Sequence, residues 1–410
     1  MFQRTLRLYQ RAYQGLSPSV WLLAGVMLIN RCGTMVLPFL TLYLTQHLRY
    51  SVADAGIVMA VYGIGAFIGT FLGGRLTDRF GFYYVQLCSL LFGGVALLFI
   101  QFVTNFYALC GSVFVFTLLG DTFRPANQVA ISHYTETDAR TRAFSLNRLA
   151  INLGWAVGGG LGGWLASIDY GLLFWVDGLT CIVAGLVLWR FLPVPAPVLQ
   201  PEPVGPDQLT AGVSFTTPET GSNSPFRDRL FVGFVICSAL YFLTFMQLFT
   251  LVPLFFKEVL RLTERAIGTL MALNGLLIVL IEMALVYELE QRKIPKLRLI
   301  LIGVLLTVAS YGTLAITTAS VGALAFMLLI TLAEMLAMPF IQSFTVGRAS
   351  PATRGQYLAL YAMGGAAAQT LSPIVGAQMV GHYGFSTHWF GIMAIGLVSA
   401  SGFWWLSRKA

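Results

Sequence analysis

Long uncharged stretches constrain the fold of this chain more than any other feature of its sequence. A helix needs about 20 apolar residues to cross the hydrocarbon of a bilayer, and stretches of that kind follow one another along the chain. Only 10% of the residues are charged, against about 25% in a soluble domain, so a water-soluble fold would lack a polar surface. We therefore predict an all-α integral membrane protein with twelve transmembrane helices, at 19–45, 52–74, 84–104, 106–133, 141–167, 171–191, 230–256, 264–288, 298–318, 320–347, 354–380 and 385–406.

The basic residues predict which side of the membrane each loop occupies. Eighteen of the 25 lysines and arginines lie in the terminal segments and in loops on one side, and four lie in loops on the other. Because loops rich in lysine and arginine stay in the cytoplasm, we predict a plasma membrane protein with both termini cytoplasmic. The net charge of +8 then arises from these loops, so we predict no nucleic-acid partner.

A polar segment divides the chain into two halves. Residues 193–228 contain no long apolar stretch and hold eight of the 16 prolines, a composition typical of an extended linker. We predict a cytoplasmic N-terminal segment over 1–17, six-helix bundles over 18–192 and 229–410, and a cytoplasmic linker over 193–228 between the bundles.

The two halves resemble each other, which indicates an internal repeat. With a shift of 212 residues, Ser51, Gly56, Met59, Ala60 and Gly63 match Thr263, Gly268, Met271, Ala272 and Gly275. Membrane proteins built from such repeats are commonly transporters, which bind their substrate between the repeats near the bilayer midplane. We predict two pseudo-symmetric bundles of six helices each, with a small molecule as the substrate.

The sequence lacks the residue spacings that are typical of metal sites, disulfide frameworks and phosphate-binding loops. The five cysteines lie in apolar stretches without paired spacing, and the four histidines show no ligand spacing. A phosphate-binding loop, a nucleophile elbow and a zinc-binding helix are missing. We predict that the chain is not an enzyme, that it holds no metal or cofactor, and that a proton gradient supplies its energy.

The segment after the second predicted span carries a recognisable motif. Residues 73–81 form a loop in this prediction, and they include Gly74-Arg75-Leu76-Thr77-Asp78-Arg79-Phe80-Gly81. This segment resembles the Gly-x-Leu-x-Asp-Arg-x-Gly signature of the major facilitator superfamily, although the family's following basic pair is replaced by aromatic residues. The six-plus-six plan and the central linker are similar as well.

The resemblance implies a conformational latch made of Gly74, Asp78, Arg79, Gly81 and Arg142. In the family the signature aspartate lies near the cytoplasmic start of the eleventh span, which here is the segment 351–355. An acidic side chain near a helix N-terminus is favourable, typically by about 0.3–1 kcal/mol. Arg142, which enters the fifth predicted span, is a further expected partner of Asp78.

The fifth predicted span points to one branch of that family. Residues 142–163 are rich in glycine and resemble the span-five motif of the exporters, without the proline of that motif. The resemblance implies a monomeric, proton-coupled multidrug exporter of a bacterial inner membrane, with protons, the lipid bilayer and a small drug-like solute as partners. A proton-coupled importer of a metabolite or peptide, and a transport-inactive membrane sensor or enzyme, stay open as alternatives.

Several charged and polar residues lie deep within predicted spans. A charge at the bilayer centre costs at least about 2.5–3.5 kcal/mol, so such residues are functional by default. We predict that they line a substrate cavity, in which an excess of arginine favours anionic or zwitterionic solutes. The predicted cavity residues are Arg31, Arg124, Arg148, Asn152, Gln128, Gln247 and Asn274.

Glu334 and Asp121 are the predicted proton-coupling groups. Glu334 has no acidic or basic neighbour within a turn of its own helix, and burial favours the neutral form of a carboxyl group. Two alternatives stay open. Glu334 pairs with Arg31 or Arg124 across the cavity, or Asp121 and Arg124, three residues apart, form a static ion pair.

Two other acidic residues are weaker candidates. Glu282 lies toward the cytoplasmic end of span eight, where we expect it to reach lipid headgroups or Arg292. Asp177 lies near the outer end of span six, where we expect it to bond to nearby backbone.

Two stripes of glycine at four-residue spacing predict close helix packing. They are Gly65, Gly69 and Gly73 in span two, and Gly154, Gly158 and Gly162 in span five. Small residues on one face of a helix let two backbones approach closely in lipid. Static packing and a moving contact between the two halves are both compatible with this pattern.

Overall fold

The computed structural model describes residues 15–136, 139–194, 225–317, 319–349 and 354–409. Within these ranges every regular element is a helix. The predicted segment 1–17 and the predicted linker 193–228 lie almost entirely outside the described residues. The helices are Pro18–Cys32, Val36–Leu42, a π turn at Tyr43–His47, Val52–Phe80, Phe82–Ile100, Phe106–Asp121, Phe123–His133, Arg140–Ala166, Gly171–Phe191, Arg229–Phe245, Gln247–Thr250, Val252–Glu258, Glu264–Gln291, Lys296–Ile316, Ser320–Arg348 and Arg354–Ser407.

These helices form twelve membrane spans. Eleven helical stretches of the described chain are long and apolar enough to cross a membrane. The last stretch, Gln356–Ser407, contains Gly384 with φ 77° and ψ 172°, a conformation that interrupts the helix. Counting its two parts separately gives the twelve spans predicted from the sequence, and we number them 1 to 12 in chain order.

Three spans contain a short irregularity within their length. Span 1 breaks between Cys32 and Val36, span 4 breaks at Thr122, and span 7 breaks at Met246 and again at Leu251. An interruption leaves backbone groups without intrahelical partners, which membrane proteins tolerate only inside protein or beside a cavity. These irregularities leave the predicted spans unchanged, since each of the three remains one helical stretch long enough to cross the membrane.

The signature segment is helical rather than a loop. Span 2 continues to Phe80, and Thr77 donates to the carbonyl of Gly73 (2.6 Å). Gly81 ends the helix with φ 82°, in the left-handed region that favours glycine. The predicted loop is wrong because the helix extends past the apolar stretch on which the prediction was based.

The internal repeat is visible in the backbone. Ser51 and Thr263 both cap a following span, by accepting hydrogen bonds from the amides three residues later (3.0 and 3.3 Å). The same shift relates Arg49 (φ 61°) to Arg261 (φ 55°), two non-glycine residues with a positive φ. Caps and strained turns recur at matching positions because the two halves have the same plan, as predicted.

Hydrogen bonds between loops define the two ends of the helical bundle. Where span 1 begins, Ser17 donates to the carbonyl of Tyr134 (2.8 Å), and Tyr134 donates to the carbonyl of Pro193 (2.6 Å). At the opposite end, Tyr50 donates to the carbonyl of Thr104. Span 1 starts and span 12 finishes at the end that holds Ser17 and Tyr134, and we call it the terminal end. We call the opposite end the distal end.

The predicted glycine stripes pack within the first half. A Cβ atom on Gly65 or Gly69 would lie 2.0 or 2.5 Å from atoms of span 4, and one on Gly154 would lie 2.3 Å from the Cβ of Arg31 in span 1. Gly73 contacts span 4 in the same way, and Gly158 and Gly162 contact span 1. None of these six glycines makes its closest contact across the two halves.

Other glycines bring the two halves together near the distal end. A Cβ on Gly163 of span 5 would lie 2.5 Å from the Cα of Gly268 in span 8. A Cβ on Gly56 of span 2 would lie 2.3 Å from the Cβ of Ala377 in span 11. Spans 5 and 8, and spans 2 and 11, therefore approach each other at backbone distance, one pair on each side of the pseudo-symmetry axis.

Asp228 connects three helices at the terminal end of the second half. It precedes span 7, accepts from the amide of Phe231 (3.1 Å), and receives two hydrogen bonds from Arg348 (2.8 and 3.2 Å) and one from Tyr357 (3.2 Å). Burial of the Asp228 carboxyl alone would raise its pKa, but these donors outweigh burial and hold the pKa below its ordinary value.

The Asp228→Asn variant is expected to be less stable than the parent at neutral pH, by about 1 kcal/mol or less because Arg348 is partly exposed. Since the pKa in the folded protein lies below the unfolded value, the carboxylate stabilises the fold above the unfolded pKa. That contribution disappears as the pH falls through the folded pKa. Thermal unfolding of both proteins at neutral and acidic pH checks this, and an unchanged difference at acidic pH would contradict it.

Candidate functional site

A hollow lies between the two halves and extends to the terminal end. Its largest part, about 800 Å³, is lined by spans 4, 5, 8 and 10 and reaches Phe144 and Val346, within two turns of helix ends. Two smaller parts, about 130 and 200 Å³, share Asn152, Ile278 and Glu334 and continue it toward the distal end. A solute that enters from the terminal end therefore meets side chains of both halves.

The distal end of this hollow is sealed by contacts between the halves. Gln46 donates to Glu258 (3.1 Å), Tyr170 donates to Glu264 (2.9 Å), and Arg265 donates to Ser167 (2.9 Å). Lys257 forms an ion pair with the same Glu264 carboxylate (2.6 Å). Together with the glycine contacts, the three bonds between the halves close the distal end, whereas the described residues leave the hollow open toward the terminal end.

An ion pair crosses the hollow. Arg148 of span 5 contacts the Glu282 carboxylate of span 8, and Asn152, one turn along span 5, donates to the other carboxylate oxygen (3.5 Å). Arg148 keeps 43% of its side-chain surface exposed, whereas Glu282 keeps 10%. The expected contact of Glu282 with headgroups or Arg292 is therefore wrong, because its helix directs it into the seam and Arg292 pairs with Glu288 (2.9 Å).

Glu334 lies deeper in the same hollow, with neutral neighbours. Asn274 of span 8 donates to its carboxylate (3.3 Å) and also to Thr331 (2.9 Å), one turn earlier on span 10. Within the described part of the chain, no lysine or arginine lies within 4 Å of this carboxylate. The alternative that Glu334 pairs with Arg31 or Arg124 is wrong, because both arginines lie in a different pocket.

That second pocket lies within the first half and has a volume of about 70 Å³. Arg124 forms an ion pair with Asp121 (2.6 Å) across the break in span 4, and Arg31 and Asp177 line the same space. The Nε atom of Arg31 is buried without a hydrogen-bond partner among the described residues. Two guanidinium groups therefore face two carboxylates at the interruptions of spans 1 and 4.

Asp177 contacts another span rather than its own backbone. Its carboxylate accepts from the amide of Val36 (3.3 Å), the first residue of the helix that resumes span 1. The expected local role is wrong because the interruption of span 1 exposes unpaired amides, and an acceptor from span 6 satisfies one of them.

The structure thus divides the predicted cavity residues into three groups. Arg148, Asn152, Gln128 and Asn274 line the hollow between the halves, and Arg31 and Arg124 line the first-half pocket. Gln247 lines neither, because it is fully buried and donates to Ser372 of span 11 (2.9 Å). Its placement in a cavity was therefore wrong.

The charge of the hollow also differs from expectation. Arg148 is its one basic residue among the described lining residues, against the two carboxyl groups of Glu282 and Glu334. The predicted excess of positive charge does not exist there, since Arg31 and Arg124 face acidic partners elsewhere. The arrangement suits a cationic solute better than an anionic one.

The sequence pointed to Glu282 only as a weaker candidate and did not predict its partner in the site. Arg148 and Glu282 are 134 residues apart, so no spacing rule connects them. The available signal was the presence of an acid within an apolar span. Trp155 and Phe249, two of the aromatic residues that the sequence offered as possible pocket residues, also line the hollow, together with several methionines that no pattern singled out.

The predicted latch is only partly within the described residues. Asp78 and Arg79 are exposed at the terminal end of span 2, and Arg79 stacks on Phe80 (5.3 Å). The expected partner segment includes residues 351–353, which lie outside the described residues, as do the side chains of residues 354 and 355. The latch stays a prediction.

The chain has twelve spans in two repeated halves, and charged side chains line a hollow between the halves. This arrangement defines an integral membrane transporter. The family model described as the Major Facilitator Superfamily matches residues 22–373. The chain belongs to this superfamily, which groups transporters and not enzymes.

Relatives with assigned names support the same class. The chain is 26% identical over 407 residues to a Na(+), Li(+), K(+)/H(+) antiporter of Planococcus maritimus, with 94% of each protein covered. It is 22% identical over 338 residues to the multidrug resistance protein MdtH of Photorhabdus laumondii, covering 80% of this chain and 78% of the relative. The solved structure of the nucleoside transporter NupG superposes with a TM-score of 0.75 at 16% identity, covering 95% and 99%, which shows the fold alone.

Proposed function

We propose that this protein is a proton-coupled secondary transporter that exports small amphipathic or drug-like solutes, above all cationic ones, across a bacterial inner membrane. One observation carries the proposal. The hollow is sealed at the distal end, extends to the terminal end, and holds two carboxyl groups against one guanidinium. The relative named as a multidrug resistance protein supports the solute class.

The proposed mechanism is a rocking of residues 18–192 against residues 229–410. With both termini in the cytoplasm, the present state faces the cytoplasm and admits the solute. The solute's positive charge then competes with Arg148 for Glu282, while its apolar body contacts aromatic and methionine side chains. Opening of the distal end releases the solute, and uptake of a proton by Glu334 favours the return.

The latch has a role in the same cycle. When the terminal end closes, Asp78 and Arg79 approach the start of span 11 and Arg142, and their contacts stabilise the outward-facing state. The exposure of Asp78 in the present state is compatible with a released latch.

Transport by the purified full chain in liposomes tests this function. Protein is inserted in both orientations, the interior is made acidic, and uptake of a fluorescent lipophilic cation is followed. We expect uptake that stops when a protonophore collapses the pH gradient. Uptake driven by the opposite gradient would indicate an importer, and the absence of any flux, with folded protein, would favour a sensor.

Exchange of monovalent metal cations for protons is the second candidate function. The relative that aligns over 94% of this chain is named a Na(+), Li(+), K(+)/H(+) antiporter. In addition, the carboxyl group of Glu334, which is not paired with Arg148, suits a small cation. Pulses of NaCl, LiCl or KCl in the same liposomes would collapse the pH gradient under this function, whereas the lipophilic cation would have little effect.

A further inference from the structure

Spans 9 and 12 form an apolar groove on the outer surface of the second half. The groove has a volume of about 240 Å³, and it is lined by Leu301, Leu305, Leu397, Ala400, Ser401 and Trp404. Leu305, Leu397 and Trp404 keep 43%, 49% and 48% of their surface exposed. None of the lining residues takes part in the hollow between the halves, so the groove is a separate feature that faces the lipid.

The lining of this groove suits a hydrocarbon chain. Ser401 is the one lining residue with a hydroxyl group, and this hydroxyl donates to the carbonyl of Leu397 (2.8 Å), one turn earlier on its own helix. Trp404 is the lining residue of span 12 nearest to the terminal end, and tryptophan is typical of the interface between membrane and water. The groove therefore runs from the interface into the hydrocarbon.

Two arginines extend the lining of the groove to the terminal end. Arg298 precedes Leu301 by three residues, and Arg408 follows Trp404 by four, which are the spacings of one helix face. The amide of Arg408 donates to the carbonyl of Trp405 (3.2 Å), so the turn continues to that residue. Because span 9 starts at the terminal end and span 12 finishes there, both arginines lie at the same rim of the groove.

The guanidinium groups at this rim have no acidic partner nearby. The Cζ atom of Arg408 lies 3.8 Å from the ring centroid of Trp404, and such stacking orders the guanidinium while its in-plane N–H groups stay free to donate. Arg298 is exposed, without an ion-pair partner among the residues that the structure describes. Segments 296–316 and 385–407 contain no aspartate or glutamate. The rim therefore offers donors to an anion.

The depth of the groove matches one leaflet of a bilayer. Leu305 lies seven residues beyond Arg298, which is about 10 Å at 1.5 Å per residue, and half of the hydrocarbon core is about 15 Å thick. An anion at the rim and a chain in the groove are then the two parts of one amphiphilic molecule. A free phosphate would leave the groove empty, and an uncharged lipid would leave the arginines without a partner.

A second copy of this chain would fit the groove less well. A dimer about a two-fold axis brings the same patch of both subunits together, which would place Arg298 and Arg408 beside their counterparts. Like charges repel each other strongly where water is excluded, and spans 9 and 12 supply no acidic side chain to offset them. The charge of the rim therefore favours a lipid over self-association.

We propose that this groove binds an anionic phospholipid of the leaflet at the terminal end, with one acyl chain between spans 9 and 12 and the phosphate held by Arg298 and Arg408. Basic pockets between spans on the cytoplasmic side of a membrane are typical binding sites of anionic lipids. The site goes beyond the proposed transport function, because it lies on the outer surface and not in the hollow.

Native mass spectrometry of the purified full chain tests the headgroup. The protein is titrated with phosphatidylglycerol or phosphatidylcholine of the same acyl chains, and we expect the parent to retain phosphatidylglycerol preferentially. Retention is expected to weaken at least about tenfold in the double variant Arg298→Gln/Arg408→Gln, since each basic residue near an anionic surface contributes about fivefold. Arg190→Gln is the matched control, because Arg190 stacks on Phe191 (5.4 Å) at the terminal end of span 6, outside the groove.

Photolabelling tests the place of the acyl chain. Phosphatidylglycerol with a diazirine in its acyl chain is irradiated with the parent protein, and the labelled peptides are mapped. We expect labels on 301–305 and 397–404, and their loss in Ser401→Trp, which fills the groove but keeps both arginines. The hydroxyl of Ser401 bonds within its own helix, so this variant is expected to fold.

The two readouts can each contradict the proposal. Equal retention of both lipids by the parent, or equal retention of phosphatidylglycerol by the double variant and by Arg190→Gln, would overturn it. Labels confined to other spans, or parent dimers that disappear in Ser401→Trp, would overturn it as well. The labelling pattern of the parent decides the matter even if a variant does not fold. Neither readout involves transport, so the result is independent of the proposed function.

Discussion

Glu334→Gln is expected to abolish proton-driven accumulation of solute while exchange of solute across the membrane stays measurable. One unit of pH difference is equivalent to about 1.4 kcal/mol per proton, so an exporter coupled to one proton sustains about a tenfold solute gradient per pH unit. Glutamine keeps the size of the side chain and its hydrogen bond with Asn274, but cannot exchange a proton. The gradient is therefore expected to vanish, as measured by steady-state accumulation in liposomes.

The matched control is Glu288→Gln on span 8. Glu288 is an exposed carboxyl, paired with Arg292 at 2.9 Å, and it lies outside the hollow. We expect this variant to accumulate solute as the parent does. A tenfold gradient per pH unit that persists in Glu334→Gln would contradict the coupling role of Glu334 and direct attention to Asp121 or Glu282.

Gly163→Val is expected to open the distal end. A Cβ at this position would lie 2.5 Å from the carbonyl oxygen of Glu264 and 2.5 Å from the Cα of Gly268, both of the opposite half. Backbone atoms cannot rotate away, so the sealed state loses about 1–3 kcal/mol, which shifts a two-state equilibrium by about 5–150-fold. Transport is expected to fall because the protein then reaches the sealed state rarely.

Distances between spin labels at positions 49 and 261 measure this shift. Arg49 and Arg261 are exposed, repeat-related residues of the distal loops, and labelling them requires a background without the five native cysteines. We expect longer distances in Gly163→Val than in the parent. Gly111→Val is the control, because a Cβ there meets no atom within 4 Å. Equal distance distributions in both variants would show that span 5 does not hold the seal.

Local properties of the chain were sufficient to predict much of the fold. The number of spans follows from the length of apolar stretches, because a bilayer imposes that length on every crossing helix. The predicted starts of span 2 and span 8 agree with the structure, in which Ser51 and Thr263 cap these helices by accepting from amides three residues away. The repeat follows from residues that recur at a constant shift, and the two halves have the corresponding backbone turns.

The contacts of the polar residues were not predictable in the same way. Arg148 meets Glu282 across 134 residues, and Gln247 meets Ser372 across 125. Such pairs depend on how far each helix is rotated about its axis and on where it crosses its neighbour. Neither quantity is contained in the spacing of residues along one helix.

The amino-acid sequence therefore determined that this protein crosses the membrane twelve times in two repeated halves, because hydrophobic length, caps and repeats act within one helix or turn. Only the tertiary structure decided that the polar residues form two separate sites rather than one cavity. The reason is that helix packing places Arg31 and Arg124 in a pocket among the spans of the first half, while close contact of spans 5 and 8 brings Arg148 to Glu282 between the halves.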